Sequence, residues 1–275
     1  MEPDQDRGGR LLCFGAHPDD CEIKSSGLAA LWTRAGGQAR FVALTDGSAG
    51  HHEMVGEPLV RRRRAEAAVG ARAVGADAVI LDNADGMLMP TLENRFRVIR
   101  EIRLFRPDVI VCPRISDYHP DHRYTGVIVQ DACYLLKVPN IVPLVPVPDR
   151  DPVVLFMDDR FTRPEPLRPD VVVSIDSVLA AKLAAVRAHE SQVLEWLPWI
   201  GGYAHEMPGD EAGRRAYADQ RVATAARQVA DRYREALVVR YGAATGTSVQ
   251  HAEAYEVSQY AAPLTEQASA TLFPF

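Results

Sequence analysis

The sequence predicts an α/β fold with a Rossmann-like, mostly parallel sheet flanked by helices, and three observations predict it. Short apolar runs alternate with helix-patterned stretches through the first half of the chain, as repeated βαβ units require. Each of the first four runs ends in a small cluster of polar residues, where parallel sheets present their ligand sites. The 275 residues are 47% hydrophobic and 25% charged, which suits one α/β domain with a sizeable core.

The apolar runs cover residues 11–15, 39–45, 78–81 and 108–112. Between them, the 3.6-residue pattern predicts helices over 23–35, 58–74 and 92–105. A fourth helix should follow His119–Pro120 and run to about residue 137, because proline suits a first helical turn. From Val138 to Asp170 the chain is proline-rich, and proline lacks the donor that an interior strand needs. Edge strands and a long ordered loop are expected there, on the rim of the substrate pocket. A strand over 171–175 and an amphipathic helix over 177–196 come next, then a helix from about 214 to 237. One further strand is expected within TSVQHAEAYEVS. We read residues 1–275 as one domain, with a core at about 10–137 and a substrate-bordering, C-terminal region at about 138–275.

The net charge of −6, from 31 basic and 37 acidic residues, argues against nonspecific nucleic-acid binding, which needs a basic surface. The start, MEPDQDRGGR, lacks the apolar core of a signal peptide, and no apolar run approaches the roughly 20 residues of a membrane span. The four cysteines form no CxxC pair, and Cys13 and Cys112 sit in apolar runs as small hydrophobes. These features point to a reduced, cytoplasmic protein with no transmembrane segment.

The polar clusters carry the chemistry. The first strand ends in AHPDD, with His17, Asp19 and Asp20, and the fourth is followed by HPDHR, with His119, Asp121 and His122. If those strands are neighbours, the two HPD tripeptides face each other across the crevice at the carboxyl edge. His17 and Asp20 are three apart, as are His119 and His122, so each pair shares a helical face. Two imidazoles and a carboxylate around an open position suit a catalytic zinc ion, one per chain, with His17, Asp20 and His122 as ligands. Asp19 and His119 are left to handle protons and the oxyanion. Cys21 adjoins these ligands, but its neighbour Asp20 already fills that place. The pair Trp196 and Trp199 reads better as core than as a sugar platform. Lys182 and His189, seven apart on one face, suit packing or an oligomer contact.

With those residues assembled, the sequence resembles the PIG-L/LmbE-like zinc deacetylases. The matching stretches are GAHPDDCE, LTDGSAGH, RRAE, NADG, PDVIVCPRISDYHPDHR and a spaced K…H.SQ from Lys182 to Gln192. The resemblance implies hydrolysis of the N-acyl group of an N-acetylglucosamine-type amino sugar. It implies metal ligands at His17, Asp20 and His122, a general base at Asp19 and a catalytic histidine at His119 oriented by Asp121. It also implies substrate contacts at Asp46, Arg63 and Asp85, and a homo-oligomer, trimer or hexamer. Ser26-Gly27 stands where the family often has two glycines. Two other readings stay open: an amidase of a sugar–thiol conjugate, and a nonenzymatic nucleotide-binding module. The second is disfavoured because acids stand where a glycine-rich turn would cradle phosphate.

Overall fold

The computed structural model describes residues 9–275; residues 1–8, the stretch read above as lacking a signal peptide, lie outside the described residues. The four expected βαβ repeats form. They are β1 (Arg10–Gly15), α1 (Asp20–Arg34), β2 (Gln38–Thr45), α2 (Glu57–Ala73), β3 (Ala76–Asn83), α3 (Leu92–Phe105), β4 (Val109–Cys112) and α4 (Pro120–Leu135). Then come β5 (Val153–Met157), β6 (Val171–Ser174), α5 (Leu179–Arg187), α6 (Leu197–Ile200), α7 (Glu211–Arg232), α8 (Arg234–Tyr241), α9 (Ala243–Ser248), β7 (Ala252–Val257) and α10 (Glu266–Leu272). Among the described residues, seven strands join one sheet in the order β3-β2-β1-β4-β5-β7-β6. Strands β1 to β5 run parallel, and β7 pairs antiparallel with both β5 and β6.

The two-residue period of the strands builds two cores. Leu11 and Cys13 of β1 and Val109 and Val111 of β4 face the layer containing α1, whereas Leu12, Phe14, Ile110 and Cys112 face α3 and α4. A sheet buried on both faces explains why these strands read as continuous apolar runs. All four cysteines are free and buried, and burial pushes the thiols of Cys13, Cys21 and Cys112 well above their ordinary value. Among the described residues, no helix is long and apolar enough to cross a membrane.

The proline-rich segment departs from expectation in two ways. Its strand, β5, is interior rather than an edge, because residues 153–157 contain no proline and pair with β4 and β7. Its first half also lies away from the carboxyl edge. The buried Arg103, near the end of α3, donates to the carbonyls of Leu136, Val138, Ile141 and Val145, drawing that stretch towards the start of β5. Residues after β5 do return to the carboxyl edge, where Asp158 and Asp159 border a cleft shared with Asp20 and His122. The expected helix over 177–196 is interrupted at His189 and continues as a π-helical turn over Ser191–Trp196.

The sheet is tied to α1 by a buried ion pair. Lys182 Nζ lies 2.7 Å from Glu253 Oε1, with side-chain exposures of 4% and 5%. Glu253 accepts from the backbone N–H groups of Gly27 and Leu28 and from the Tyr255 hydroxyl, while Lys182 donates to the Ile23 carbonyl. Gly27 permits this approach: a Cβ there would sit 2.8 Å from Glu253 Oε1. Lys182 is thus an internal clamp and not an oligomer contact. Replacing it by Met should destabilise the protein by about 3–5 kcal/mol, because Glu253 is left charged and buried. Denaturant unfolding of Lys182→Met beside Lys182→Met/Glu253→Gln checks this, and the double variant should recover part of the loss.

Candidate metal centre

Adjacency of β1 and β4 brings the two HPD stretches together at the carboxyl edge. After β1 the chain turns sharply into α1, and Asp20 Oδ2 accepts from the N–H groups of Ala16 and His17, both at 2.8 Å. That leaves Asp20 Oδ1 facing His122 Nε2 at 3.3 Å. His122 Nε2 lies 3.2 Å from His17 Nδ1, which is 3.5 Å from Asp20 Oδ2. Ligand atoms on a tetrahedral zinc ion with bonds of about 2.0–2.1 Å stand about 3.3 Å apart, and each pair of these side chains approaches that spacing, with Asp20 using Oδ1 towards His122 and Oδ2 towards His17. Their exposures of 11%, 14% and 12% make the site sheltered but reachable.

The outer faces of both imidazoles meet carboxylates, as metal-binding histidines usually do. His122 Nδ1 is 3.0 Å from Asp117 Oδ1. His17 Nε2 faces Asp85 Oδ1 at 3.2 Å and Asp121 Oδ2 at 3.4 Å, without an aligned hydrogen bond to either. Burial opposes charge on His17, but Asp121, Asp20 and Asp85 outweigh it and hold the ring well above 6.5. His122, likewise buried, is raised by Asp20 and Asp117 to about 9. Asp20 is held well below the usual carboxylate range, despite burial, by His122 and His17. Such a crowd of carboxylates around two rings calls for positive charge, which a divalent cation supplies.

Among the described residues, two trios bring one donor atom each within 4.8 Å of one another: His17, His119 and His122, and His17, Asp85 and Asp121. Asp20 instead meets His122 with Oδ1 and His17 with Oδ2. His119 is the poorer ligand because its Nδ1 already caps α4 by accepting from the Asp121 N–H at 3.1 Å. That bond puts the neutral ring's proton on Nε2. Burial, with His17 and His122 adding to it, holds His119 below its ordinary value and favours the neutral ring.

Several expected roles change. The Asp121 carboxylate does not orient His119: it accepts from the Gly86 and Leu88 N–H groups and faces His17. Arg63 does not reach out to a substrate. Its side chain is 2% exposed, and Nη2 donates to Asp19 Oδ1 at 2.9 Å, with Nη1 3.6 Å from Asp85 Oδ2. Gly47 makes room for it, since at φ +72° a Cβ would sit 2.7 Å from Nη1. Asp46 Oδ1 is spent on the N–H groups of Ser48 and Asp85, and Asp85 Oδ2 accepts from Ala49. Trp199 is not core: it is 51% exposed and stacks between His52 and Trp196. Cys21 turns its thiol to the Cys13 carbonyl, away from the ligands.

The H.SQ stretch fastens the site loops. Ser191 meets Glu66, Gln192 donates to the Gly50 carbonyl, and buried His189 lies 3.2 Å from Glu22. Asp117 is the residue that sequence reasoning passed over. Its signal was a carboxylate five residues before His122, outside the helix and so free to fold back. Asp117→Ala should weaken metal affinity by about 10–100-fold while leaving the fold intact. Competition against a chromogenic chelator reads this, and unchanged affinity would count against the role.

The family model described as PIG-L, GlcNAc-PI de-N-acetylase, matches residues 12–133. Diacetylchitobiose deacetylase from Thermococcus kodakarensis is 33% identical over 203 residues, covering 70% of this chain and 74% of that protein. This chain belongs to the PIG-L family. Two solved structures show the same fold. An N,N'-diacetylchitobiose deacetylase from Pyrococcus horikoshii aligns with TM-score 0.69 and 23% identity, over 93% of this chain and 85% of that one. A 4-carboxy-2-hydroxymuconate hydratase from Pseudomonas putida aligns with TM-score 0.74 and 20% identity, over 94% and 98%. As a PIG-L protein, this chain carries its two HPD stretches and NADG loop inside the matched region.

Proposed function

We propose that this PIG-L protein is a zinc-dependent amidohydrolase that removes the acetyl group from an N-acetylglucosamine-type amino sugar. The observation that carries the reading is the approach of His122 Nε2 to His17 Nδ1 at 3.2 Å and to Asp20 Oδ1 at 3.3 Å, with Asp20 Oδ2 3.5 Å from His17 Nδ1 and Asp19 next to Asp20 in the chain. Similarity to a diacetylchitobiose deacetylase supports the substrate class. Four free, buried cysteines support a reducing, cytoplasmic setting.

His17, Asp20 and His122 would hold the ion. When bound, zinc supplies Lewis acidity and lowers the pKa of water to about 7. Asp19 accepts the proton of the attacking water; Arg63 holds its Oδ1 and fixes the carboxylate's direction. His119, with its proton on Nε2, donates to the amide oxygen as negative charge develops there. The proton taken by Asp19 then passes to the departing amine, so acetate and a free amino sugar leave.

The test is amine and acetate release from N-acetylglucosamine, N,N'-diacetylchitobiose and longer N-acyl analogues by zinc-loaded protein. Turnover of at least one of them is expected, lost with chelator and restored with zinc. The fold is shared with a hydratase, so water addition to 4-carboxy-2-hydroxymuconate belongs in the same panel. Hydration there without release of any amine would overturn the deacetylase reading.

A further inference from the structure

A cavity of about 360 Å³ lies apart from the metal ligands, between α7 and the body formed by α1, α5 and β7. Its volume falls in the range of small-molecule sites, about 300–1,000 Å³. The walls are aliphatic: Val222, Ala226 and Val229 from α7, Ile23 from α1, Val186 from α5, and Leu197. Its floor holds Lys182 and Glu253, but these satisfy each other and the backbone, so the floor presents no free charge.

The opening differs. Lys24, Arg160, Arg221 and Arg232 border it, all exposed, against the single acid Asp158. Arg232 pairs with Asp158 at 3.2 Å. Lys24 donates to the Asp158 backbone carbonyl, Arg160 to the neutral Gln228 side chain, and Arg221 lies 3.8 Å over the Tyr203 ring. Among the described residues, none of those three makes a salt bridge. Lys24 also faces the carboxylates of Asp158 and Asp159 across the neighbouring cleft, which leaves Arg160 and Arg221 as uncompensated cations. Two such cations at the mouth of an apolar chamber are complementary to one kind of molecule, an anion carrying a hydrocarbon body.

We propose that this cavity binds a single-chain amphiphilic carboxylate of medium length. The chain lies against the aliphatic walls, where burial takes its methylenes out of water. The carboxylate meets Arg160 and Arg221 at the opening. The site is independent of the metal chemistry, and its success or failure leaves that reading untouched.

Calorimetric titration of the zinc-loaded protein with decanoate tests it, with decyltrimethylammonium as the cationic counterpart. Decanoate should bind saturably, one per chain, at least about tenfold more tightly than the ammonium. Arg160→Glu/Arg221→Glu should weaken decanoate by roughly tenfold. Ala225→Trp, at an exposed lining position, should abolish binding by plugging the opening. Unchanged melting temperatures and deacetylation would show that both variants remain folded. Equal binding of the two amphiphiles would mark a nonspecific crevice and overturn the proposal. So would decanoate affinity surviving both variants, which would place the carboxylate on the metal, or the absence of saturable binding.

Discussion

Asp19→Asn should retain one metal ion per chain and lose deacetylase turnover by roughly 10²–10⁴-fold. The substitution keeps shape and preserves an oxygen for the Arg63 Nη2 hydrogen bond seen at 2.9 Å. It removes the basic oxygen that takes the water's proton. The metal should stay because its three proposed ligands are other side chains, whose mutual distances do not depend on Asp19. Metal content by elemental analysis and steady-state rates on one preparation decide the matter. Turnover within a few-fold of the parent would falsify the assignment of Asp19 as base. Loss of metal would instead move Asp19 into the ligand set.

The parts of this protein that were legible in its sequence are those governed by local periodicity. The helix over 92–105 is found with the same ends, and the four N-terminal strands lie within two residues of expectation, because their residues alternate between two apolar layers. The meeting of the HPD stretches was legible for a different reason: strand order in doubly wound sheets is restricted, and β1 beside β4 follows.

What the sequence hid depends on contacts between residues far apart in the chain. A substrate contact at Arg63 is what the family resemblance implies, and nothing in its own stretch of sequence shows what it meets. The fold buries it between Asp19 and Asp85, which are 44 and 22 positions away, and makes it a positioning residue. Proline content suggested that the segment after residue 137 avoids the sheet interior. Prolines flank β5 without entering it, so composition averaged over 33 residues masked a five-residue strand. Arg103 shows the same limit. It is one of four arginines in α3, and its sequence gives no sign that it will gather carbonyls from residues 135–145 and pull that loop away from the site.

His122→Ala should lose metal and activity together, and more completely than any other single change proposed here. His122 Nε2 is the donor atom that stands close to both other ligands, 3.2 Å from His17 Nδ1 and 3.3 Å from Asp20 Oδ1. Removing it leaves two ligands, and a methyl group replaces the ring that Asp117 steadies. His119→Ala provides the contrast. It removes a donor to the oxyanion without touching the ligand set, so metal should remain while turnover falls by roughly 10²–10³-fold. Asp117→Ala lies between the two, with weakened affinity that excess zinc restores. The three variants are separated by metal content after gel filtration and by rates with and without added zinc. Excess zinc should recover most of the rate of Asp117→Ala and none of that of His119→Ala. It should recover little in His122→Ala, because mass action cannot replace a missing donor. Stoichiometric metal in His122→Ala would sink the ligand assignment and shift it to the trio of His17, Asp85 and Asp121, the remaining cluster that does not use His122.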